Sequence, residues 1–201
     1  MKAIKLTTLM LIVILSGCSA GIKMPVAANQ TIKAPPRGKA QVVFMRSTFV
    51  GSAISASLFD VTSGSPKFLG VIQNGNKVIY TVKPGKRNFM VVSEAADFMP
   101  ATLSADRTYY AMVTPRMGAW KARFSIKPIR RIGAGDYTMK SDKFQKWLKD
   151  TKIVEINQAA RDWAKANAAD IKDKQNSYWA KWRGKSHDDK LAVTLNANDG
   201  I

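Results

Sequence analysis

The sequence contains one cysteine, Cys18, at a position suited to acylation of its thiol. Two lysines among the first five residues give a positive start, an apolar run covers 6–15, and small residues at 16 and 17 precede the thiol. A charged start, a short apolar run and small residues before a cleavage site are typical of an export signal. The run is shorter than the roughly 20 residues that a membrane-spanning helix needs. We therefore expect cleavage after residue 17 and lipidation of Cys18.

The segment around Cys18 resembles the signal of bacterial lipoproteins, in which the thiol carries a diacylglyceryl group and the new amino terminus is acylated. Two or more acyl chains hold a protein stably on a bilayer, which one chain does not. Ser19 follows the cysteine, and a residue other than Asp here usually directs the Gram-negative lipoproteins that the segment resembles to the outer membrane. The resemblance implies a lipid-anchored outer-membrane protein, with the periplasmic side preferred and surface exposure left open.

Other side chains offer little nucleophile or metal chemistry. His187 is the only imidazole, and a zinc site needs three or four ligands, so we expect a surface histidine and no metal or cofactor. Neither a G-x-S-x-G motif nor a phosphate loop nor a dinucleotide fingerprint is present. Glu94 and Asp97 could form a carboxylate pair for acid/base hydrolysis if a pocket joined them to Arg116 or Lys121. We expect the pair in a loop after a strand, where a solvated charge or a hydrogen-bonding turn residue is the favoured interpretation.

Positive charge is the strongest remaining signal. Lys and Arg total 32 against 14 acidic residues, and the excess is +3 over 18–38, +8 over 39–129 and +5 over 130–201. A nucleic-acid module would concentrate such charge on one face, and an exported lipoprotein rarely meets nucleic acid, so we expect no nucleic-acid partner. Anionic lipid head groups, peptidoglycan or an envelope protein are the expected partners. The alternative is charge that serves solubility alone.

Aromatic residues near the C-terminus allow two interpretations. Trp163 and Trp182 fall on one stripe at helical spacing, which favours packing against the protein's own sheet. Trp179 lies off that stripe, close to Lys181 and Arg183. An aromatic ring beside cations suits a membrane interface. We therefore predict that Trp179, Lys181 and Arg183 contact an anionic surface.

The elements that would position these residues begin after a tether. Residues 18–38 contain three prolines and no periodic pattern, which predicts a flexible segment without a fold of its own. Residues 39–129 consist of short β-rich runs between turn signals, with no helical pattern among them, so we expect an independently folding antiparallel β-sandwich. About seven strands are predicted, at 41–46, 54–59, 68–72, 78–82, 89–93, 109–114 and 122–126.

Helix replaces strand after residue 129, so the whole chain is predicted to be mainly β with an α-helical C-terminal extension over 130–201. Ser141 is a good helix start for a segment that ends at Lys149, because its hydroxyl can accept an orphan backbone N–H. A longer helix is predicted over 154–183, with Gly184 as its stop. The remaining residues are predicted to form a frayed polar tail, with a possible short strand at 191–195.

An ordered series of short motifs runs through roughly 39–129 and consists of QVVFMRS at 41–47, GSA at 51–53, KPGK at 83–86, SE at 93–94 and TYY at 108–110. The series resembles an uncharacterised bacterial lipoprotein domain, similar to transthyretin-like and carboxypeptidase-regulatory-like β-sandwiches. Asp106 and Arg107 stand where the family usually has Gly-Lys, a departure that affects a turn. The resemblance implies a non-catalytic envelope domain and carries no ligand or active residue.

Two function classes follow from these observations. The preferred class is a membrane-anchored envelope lipoprotein that acts as a non-catalytic binding or structural module, with electrostatic contact to anionic lipid or peptidoglycan. The alternative is a hydrolase-like envelope enzyme that uses the acidic residues of the Glu94–Asp97 loop. A pocket that joins these acids to Arg116 or Lys121 would favour the enzyme, and a flat charged surface would favour the binding module.

Overall fold

The computed structural model describes residues 22–116 and 123–201, so Cys18 and Lys121 lie outside the described residues. Within these ranges the chain forms nine strands and four helices. The strands are β1 (Ala40–Arg46), β2 (Ala56–Asp60), β3 (Lys67–Ile72), β4 (Asn76–Val82), β5 (Gly85–Val92), β6 (Ala96–Leu103), β7 (Arg107–Arg116), β8 (Arg123–Pro128) and β9 (Lys152–Ile153). The helices are α1 (Asp142–Asp150), α2 (Gln158–Ala166), α3 (Ala168–Arg183) and α4 (His187–Ala192). Among these described helices, none combines the length and the apolar character that crossing a bilayer requires.

The strands belong to two sheets. One sheet has the order β8-β7-β1-β4-β9, and the other has the order β3-β2-β5-β6. The prediction of a mainly β chain with added helices is therefore confirmed. The predicted number of seven strands is wrong, because nine form in the described ranges. The five-stranded sheet is also mixed instead of purely antiparallel, since β1 is parallel to β7 and β4 is parallel to β9.

The two strands that sequence reasoning missed are β6 and β9. Pro100 lies within β6, and a proline normally argues against a strand because it has no N–H to donate. β6 is the edge strand of its sheet, and the carbonyl of Pro100 accepts from the backbone of Leu195 on the side away from β5. The missing N–H therefore costs no bond with β5. β9 has only two residues, too few for any periodic signal.

The main core fills the space between the sheets. Its buried side chains come from both, and Phe44 of β1 meets Phe89 of β5 edge to face with ring centroids 5.2 Å apart. Aromatic pairs in this geometry add stabilisation beyond the area that they bury. The core also contains Val154, Ala160 and Leu195 from the C-terminal part of the chain. The strand-rich region and the C-terminal extension therefore share one core.

Helices cover part of the outer face of each sheet. Val43 and Met45 of β1 pack with Phe144 of α1 on the outside of the five-stranded sheet. On the other sheet, Phe98 of β6 packs with Trp182 of α3. Because β1 is covered on both faces, all seven of its residues are buried, which explains the unbroken apolar run at 42–45.

The helical predictions are confirmed at some boundaries and wrong at others. α1 begins where predicted, since the side chain of Ser141 accepts the N–H of Phe144, and α3 ends at Gly184 as predicted. The single long helix predicted over 154–183 is instead two helices, α2 and α3, which meet at Asn167. Asn157 caps α2 through the N–H of Ala160, so the helix starts later than the apolar pattern suggests.

The described part of the predicted tether packs against the domain. Met24 is buried in the main core, and the N–H of Ala27 donates to the carbonyl of Ile153 at 2.8 Å. The side-chain oxygen of Gln30 accepts a hydrogen bond from the backbone N–H of Ile153 at 2.8 Å. From residue 22 onward the chain is thus held by specific contacts, in contrast to the expected free tether. These partners lie more than 120 residues away in sequence, so no local pattern reveals them.

The C-terminal residues are also ordered against the sheets, in contrast to the predicted frayed tail. Helix α4 ends at Ala192, so the first two residues of the possible strand at 191–195 are helical instead. Leu195 is fully buried and forms a bridge with Ala101 of β6. Asp199 lies 2.7 Å from a guanidinium nitrogen of Arg130 and is buried. Apolar burial and one ion pair therefore hold the last residues in place.

Candidate functional site

A small pocket with an excess of cations lies where the start of β6 and the β7–β8 hairpin meet the C-terminal half of α3. We call it the Asp97 pocket. Its volume is about 160 Å³. Its lining side chains come from β6, β7, β8, α3 and the residues that follow α3, namely Ala96, Asp97, Arg116, Arg123, Tyr178, Lys181, Trp182 and Lys185.

Asp97 is the only carboxylate among these lining residues, and its oxygens already have partners. The hydroxyl of Ser125 donates to Oδ2 at 2.6 Å, Arg116 lies 3.8 Å from Oδ2, and Lys185 lies 3.4 Å from Oδ1. The side chain is buried, which its pairing with cations makes tolerable. Its expected position in a loop is wrong, because Asp97 belongs to β6, opposite Val91 of β5.

The hairpin register brings two arginines to the same pocket. Arg116 ends β7 and Arg123 begins β8, and they are direct cross-strand partners. Like charges at such a position repel each other and destabilise the pair of strands. Together with Lys181 and Lys185 they surround Asp97 with four cations, so the pocket has a formal charge of +3. The arrangement leaves an excess of positive charge that an anion would neutralise.

Three buried N–H donors at this pocket have no hydrogen-bond partner among the described residues. They are Nε of Arg116, Nε of Arg123 and Nε1 of Trp182. A buried donor without a partner costs about 1–3 kcal/mol, so buried polar groups in proteins are nearly always paired. A small oxyanion in this cationic pocket, such as a phosphate or carboxylate group, would pair with these donors once the side chains turn toward it.

Glu94 lies at a different cavity, so the structure does not bring the predicted carboxylate pair into one cleft. This second cavity has a volume of about 290 Å³ and lies between the sheet of β2 and the helices α2 and α3. Glu94 lines it together with Asp170, Lys174 and Trp163. Asp97 and Arg116 do line one pocket, as the enzyme hypothesis requires. Glu94, the second acid of that hypothesis, does not line it.

Of the three residues predicted to contact an anionic surface, Lys181 and Arg183 are exposed, whereas Trp179 is not. Trp179 is partly buried, stacks on Trp182 with ring centroids 5.0 Å apart and meets Phe98 edge to face at 4.9 Å. It therefore belongs to the interface between α3 and β6. Lys181 and Arg183 are exposed, and Lys181 lines the Asp97 pocket.

Sequence reasoning missed two residues of this pocket, Arg123 and Lys185. Arg123 is seven positions after Arg116 in the sequence, and only the pairing of β7 with β8 places the two side by side. Lys185 comes directly after the helix stop at Gly184, and its contact with Asp97 spans 88 residues. A basic residue beside each of two consecutive predicted strands, 109–114 and 122–126, was the available signal for Arg123, and no local pattern indicates the contact of Lys185.

A larger and more open cleft lies at the opposite end of the sheets. It has a volume of about 450 Å³, and Tyr80 and Asp60 are among the residues that line it. The phenol of Tyr80 donates to Asp60 at 3.1 Å, and burial, with the charge of Asp60 second, raises the pKa of Tyr80 to about 12. Four cations also line this cleft, and none makes an ion pair within the described chain: Lys39, Lys67, Lys83 and Arg87.

His187 is exposed at the start of α4. In the ranges 22–116 and 123–201, no group of three or more His, Cys, Asp or Glu side chains is arranged to hold a metal ion. Comparison of the chain with protein-family models and with curated proteins finds no match. The Asp97 pocket is the strongest candidate site, because its lining side chains have an excess of positive charge and three unpartnered N–H donors.

Proposed function

We propose that this protein is a lipid-anchored envelope lipoprotein of the outer membrane that acts as a non-catalytic binding module. The complete signal before Cys18 supports the anchor, and two sheets around a common core support a β-sandwich of the kind found in transthyretin-like modules. Its net positive charge favours anionic partners on the envelope. The bound group, in this proposal, is the phosphate of a lipid head group or a carboxylate of peptidoglycan.

The observation that carries the proposal is the set of three unpartnered buried donors on residues that line the Asp97 pocket. Arg116 and Arg123 can each present a planar group of N–H donors, a geometry that suits phosphate and carboxylate oxygens. Trp182 adds a neutral indole donor. A pocket of about 160 Å³ has room for a single small anionic group. Binding of such a group would pair the donors and offset the repulsion between the arginines.

A hydrolase-like enzyme remains the second candidate, because Asp97 and Arg116 line one pocket and Ser125 donates to the carboxylate. Acid/base chemistry would require Asp97 to exchange a proton with a substrate. Both of its oxygens instead contact Ser125 or a cation, which holds the carboxylate as a fixed acceptor. Glu94, the expected second acid, lines another cavity. These contacts favour binding over catalysis.

Sedimentation with vesicles and purified sacculi tests the binding function. The mature chain with Cys18→Ser should bind phosphatidylglycerol vesicles or sacculi at low salt and bind them more weakly at high salt, because exposed charges are screened beyond roughly 8 Å at 0.15 M. Replacing Arg116 and Arg123 by Gln should weaken binding about tenfold or more. The matched control replaces Arg161 and Lys165, two exposed cations of α2, by Gln and should have a smaller effect.

Two outcomes would contradict the proposal. Equal losses in the pocket variant and in the α2 control would mean that net charge alone attracts the protein, with no role for the pocket. Release of soluble fragments from sacculi by the parent, but not by Asp97→Asn, would favour the hydrolase instead. A thermal melt of each variant, monitored by circular dichroism, checks that the comparison is made between folded proteins.

A further inference from the structure

The loop between β1 and β2 exposes apolar side chains in an unusual concentration. Phe49 is 93% exposed, Val50 is 61% exposed and Ile54 is 42% exposed. These are three of the eight large hydrophobic residues that are exposed in the described chain, and they fall within six positions. Single exposed apolar residues are ordinary, whereas a cluster of them points to an interaction surface.

The loop is held in one shape by a buried arginine. Arg46, the last residue of β1, is fully buried and donates to the carbonyls of Ile54 and Gly51 at 2.5 Å each and of Ile72 at 3.1 Å. Its guanidinium lies 4.3 Å from the ring centroid of Phe124. Burial lowers the pKa of Arg46 to about 10, a measure of how far the cation is removed from water. The buried guanidinium of Arg46 therefore holds a loop whose tip is apolar.

The tip and the Asp97 pocket lie at the same end of the molecule. A Cβ on Gly51 would lie 3.8 Å from both Pro115 and Phe124, which are cross-strand partners in the β7–β8 hairpin. The next pair in that hairpin is Arg116 and Arg123 of the pocket. Apolar side chains beside a cluster of cations match the composition of a membrane surface, where anionic head groups lie above hydrocarbon.

The described chain also begins at this end. Ile22 lines the same cavity as Ile54 and Ser55, which follow the tip. Cys18 precedes Ile22 by four residues, and an extended chain of that length spans at most about 14 Å. A bilayer that holds acyl chains on Cys18 would therefore be within reach of the loop.

We propose that the β1–β2 loop inserts Phe49 and Val50 into a phospholipid bilayer, beside the Asp97 pocket at the level of the head groups. This inference rests on the proposed function for the position of the bilayer. The loop then supplies the apolar contact and the pocket supplies the ionic contact. Contact through the loop should persist at high salt, whereas the ionic contact should weaken.

A fluorescent label on the tip tests this insertion. The mature chain with Cys18→Ser receives a single cysteine by Phe49→Cys, labelled with an environment-sensitive dye, and is mixed with vesicles of phosphatidylglycerol and phosphatidylcholine. We expect a blue shift of the dye on binding. The matched control is Ile132→Cys, because Ile132 is 71% exposed and follows the opposite end of β8. The dye at this position should show no shift.

Substitution of the tip provides a second readout that needs no label. Changing Phe49 and Val50 to Ser should weaken partition into vesicles at high salt roughly tenfold or more, since burial of each large apolar side chain is worth about that factor. Ile132→Ser should leave partition unchanged. Both positions are exposed, so these variants are expected to fold.

The outcomes separate this inference from the proposed function. Vesicle binding that needs the pocket arginines, with no dye shift at the tip and no effect of the Ser variants, would overturn insertion and leave the pocket function standing. A dye shift that depends on protein concentration without vesicles would identify a second copy of the chain as the occupant and would also overturn it. No binding to any vesicle would overturn insertion, and no binding to sacculi either would also contradict the proposed function.

Discussion

At the scale of single residues, buried polar groups carry most of the functional argument. Both terminal nitrogens of Arg46 donate to carbonyls and fix a loop, and only its Nε lacks a partner in the described chain. Nε of Arg116 and Nε1 of Trp182 also lack a partner in the described chain, and these two residues line the Asp97 pocket. The first arrangement is structural, because its bonds stay within the protein. The second is open to a ligand. Sequence alone shows all three residues and gives no means to distinguish these two situations.

Replacement of Arg46 by Met should destabilise the protein by about 2–4 kcal/mol, because three carbonyls of the loop and β3 lose their donor. Arg131→Met is the control, since Arg131 is exposed and is expected to cost less than about 0.5 kcal/mol. Urea denaturation of both variants measures the difference. A loss below about 1 kcal/mol for Arg46→Met would mean that water replaces the guanidinium without penalty.

Tyr80 gives the protein a predicted sensitivity to alkaline pH. Its pKa is raised from 10 in the unfolded chain to about 12 in the folded protein, by burial first and by Asp60 second. Between these values the unfolded chain releases the proton first, so stability from this group is complete below pH 10 and is lost as pH rises through 12. The advantage of the parent over Tyr80→Phe should therefore shrink from pH 9 to pH 11 in urea denaturation. A constant or growing advantage would contradict the assignment.

At the scale of elements, local sequence signals correctly predicted helix ends that depend only on neighbouring residues. The cap at Ser141 and the stop at Gly184 depend on neighbouring backbone groups, and both predictions are confirmed. β6 was missed because Pro100 argues against a strand unless its edge position is known. The break at Asn167 was missed because the apolar stripe continues across it. Edge positions and helix breaks depend on tertiary partners that a local pattern does not contain.

The C-terminal segment provides a test of this dependence on tertiary contacts. Leu195 is fully buried beside β6, whereas Leu191, in the same short segment, is 50% exposed. Leu195→Ala should destabilise the protein by about 2–4 kcal/mol, and Leu191→Ala by less than about 1 kcal/mol. Thermal or urea denaturation compares the two variants. Similar small losses in both would support the frayed tail that the sequence predicts.

At the scale of the whole molecule, the parts of the chain behave as one unit. Sequence reasoning treats residues 39–129 as an independent domain, but Met24, Val154, Ala160 and Leu195 complete its core from outside that range. The candidate site has the same property, since α3 and Lys185 supply one wall of the Asp97 pocket. The basic character of the site could be predicted from composition, and its location could not.

A fragment of residues 39–129 should therefore lack a cooperative thermal transition, because four buried core side chains are removed and their contacts are left as exposed apolar surface. The longer chain from residue 22 to 201 should melt cooperatively. Circular dichroism of the two proteins under the same conditions makes the comparison. Cooperative melting of the short fragment would show that the C-terminal extension is dispensable for the core.

The Asp97 pocket as an anion site can be tested at one atom. The indole N–H of Trp182 has no partner in the described chain, so its proton resonance should move downfield and saturate as inorganic phosphate is added to ¹⁵N-labelled mature chain. Trp182→Phe assigns the peak, and the Arg116→Gln, Arg123→Gln variant should abolish the shift. An indole resonance of Trp182 that stays in place, or that moves equally in the arginine variant, would contradict anion binding in this pocket.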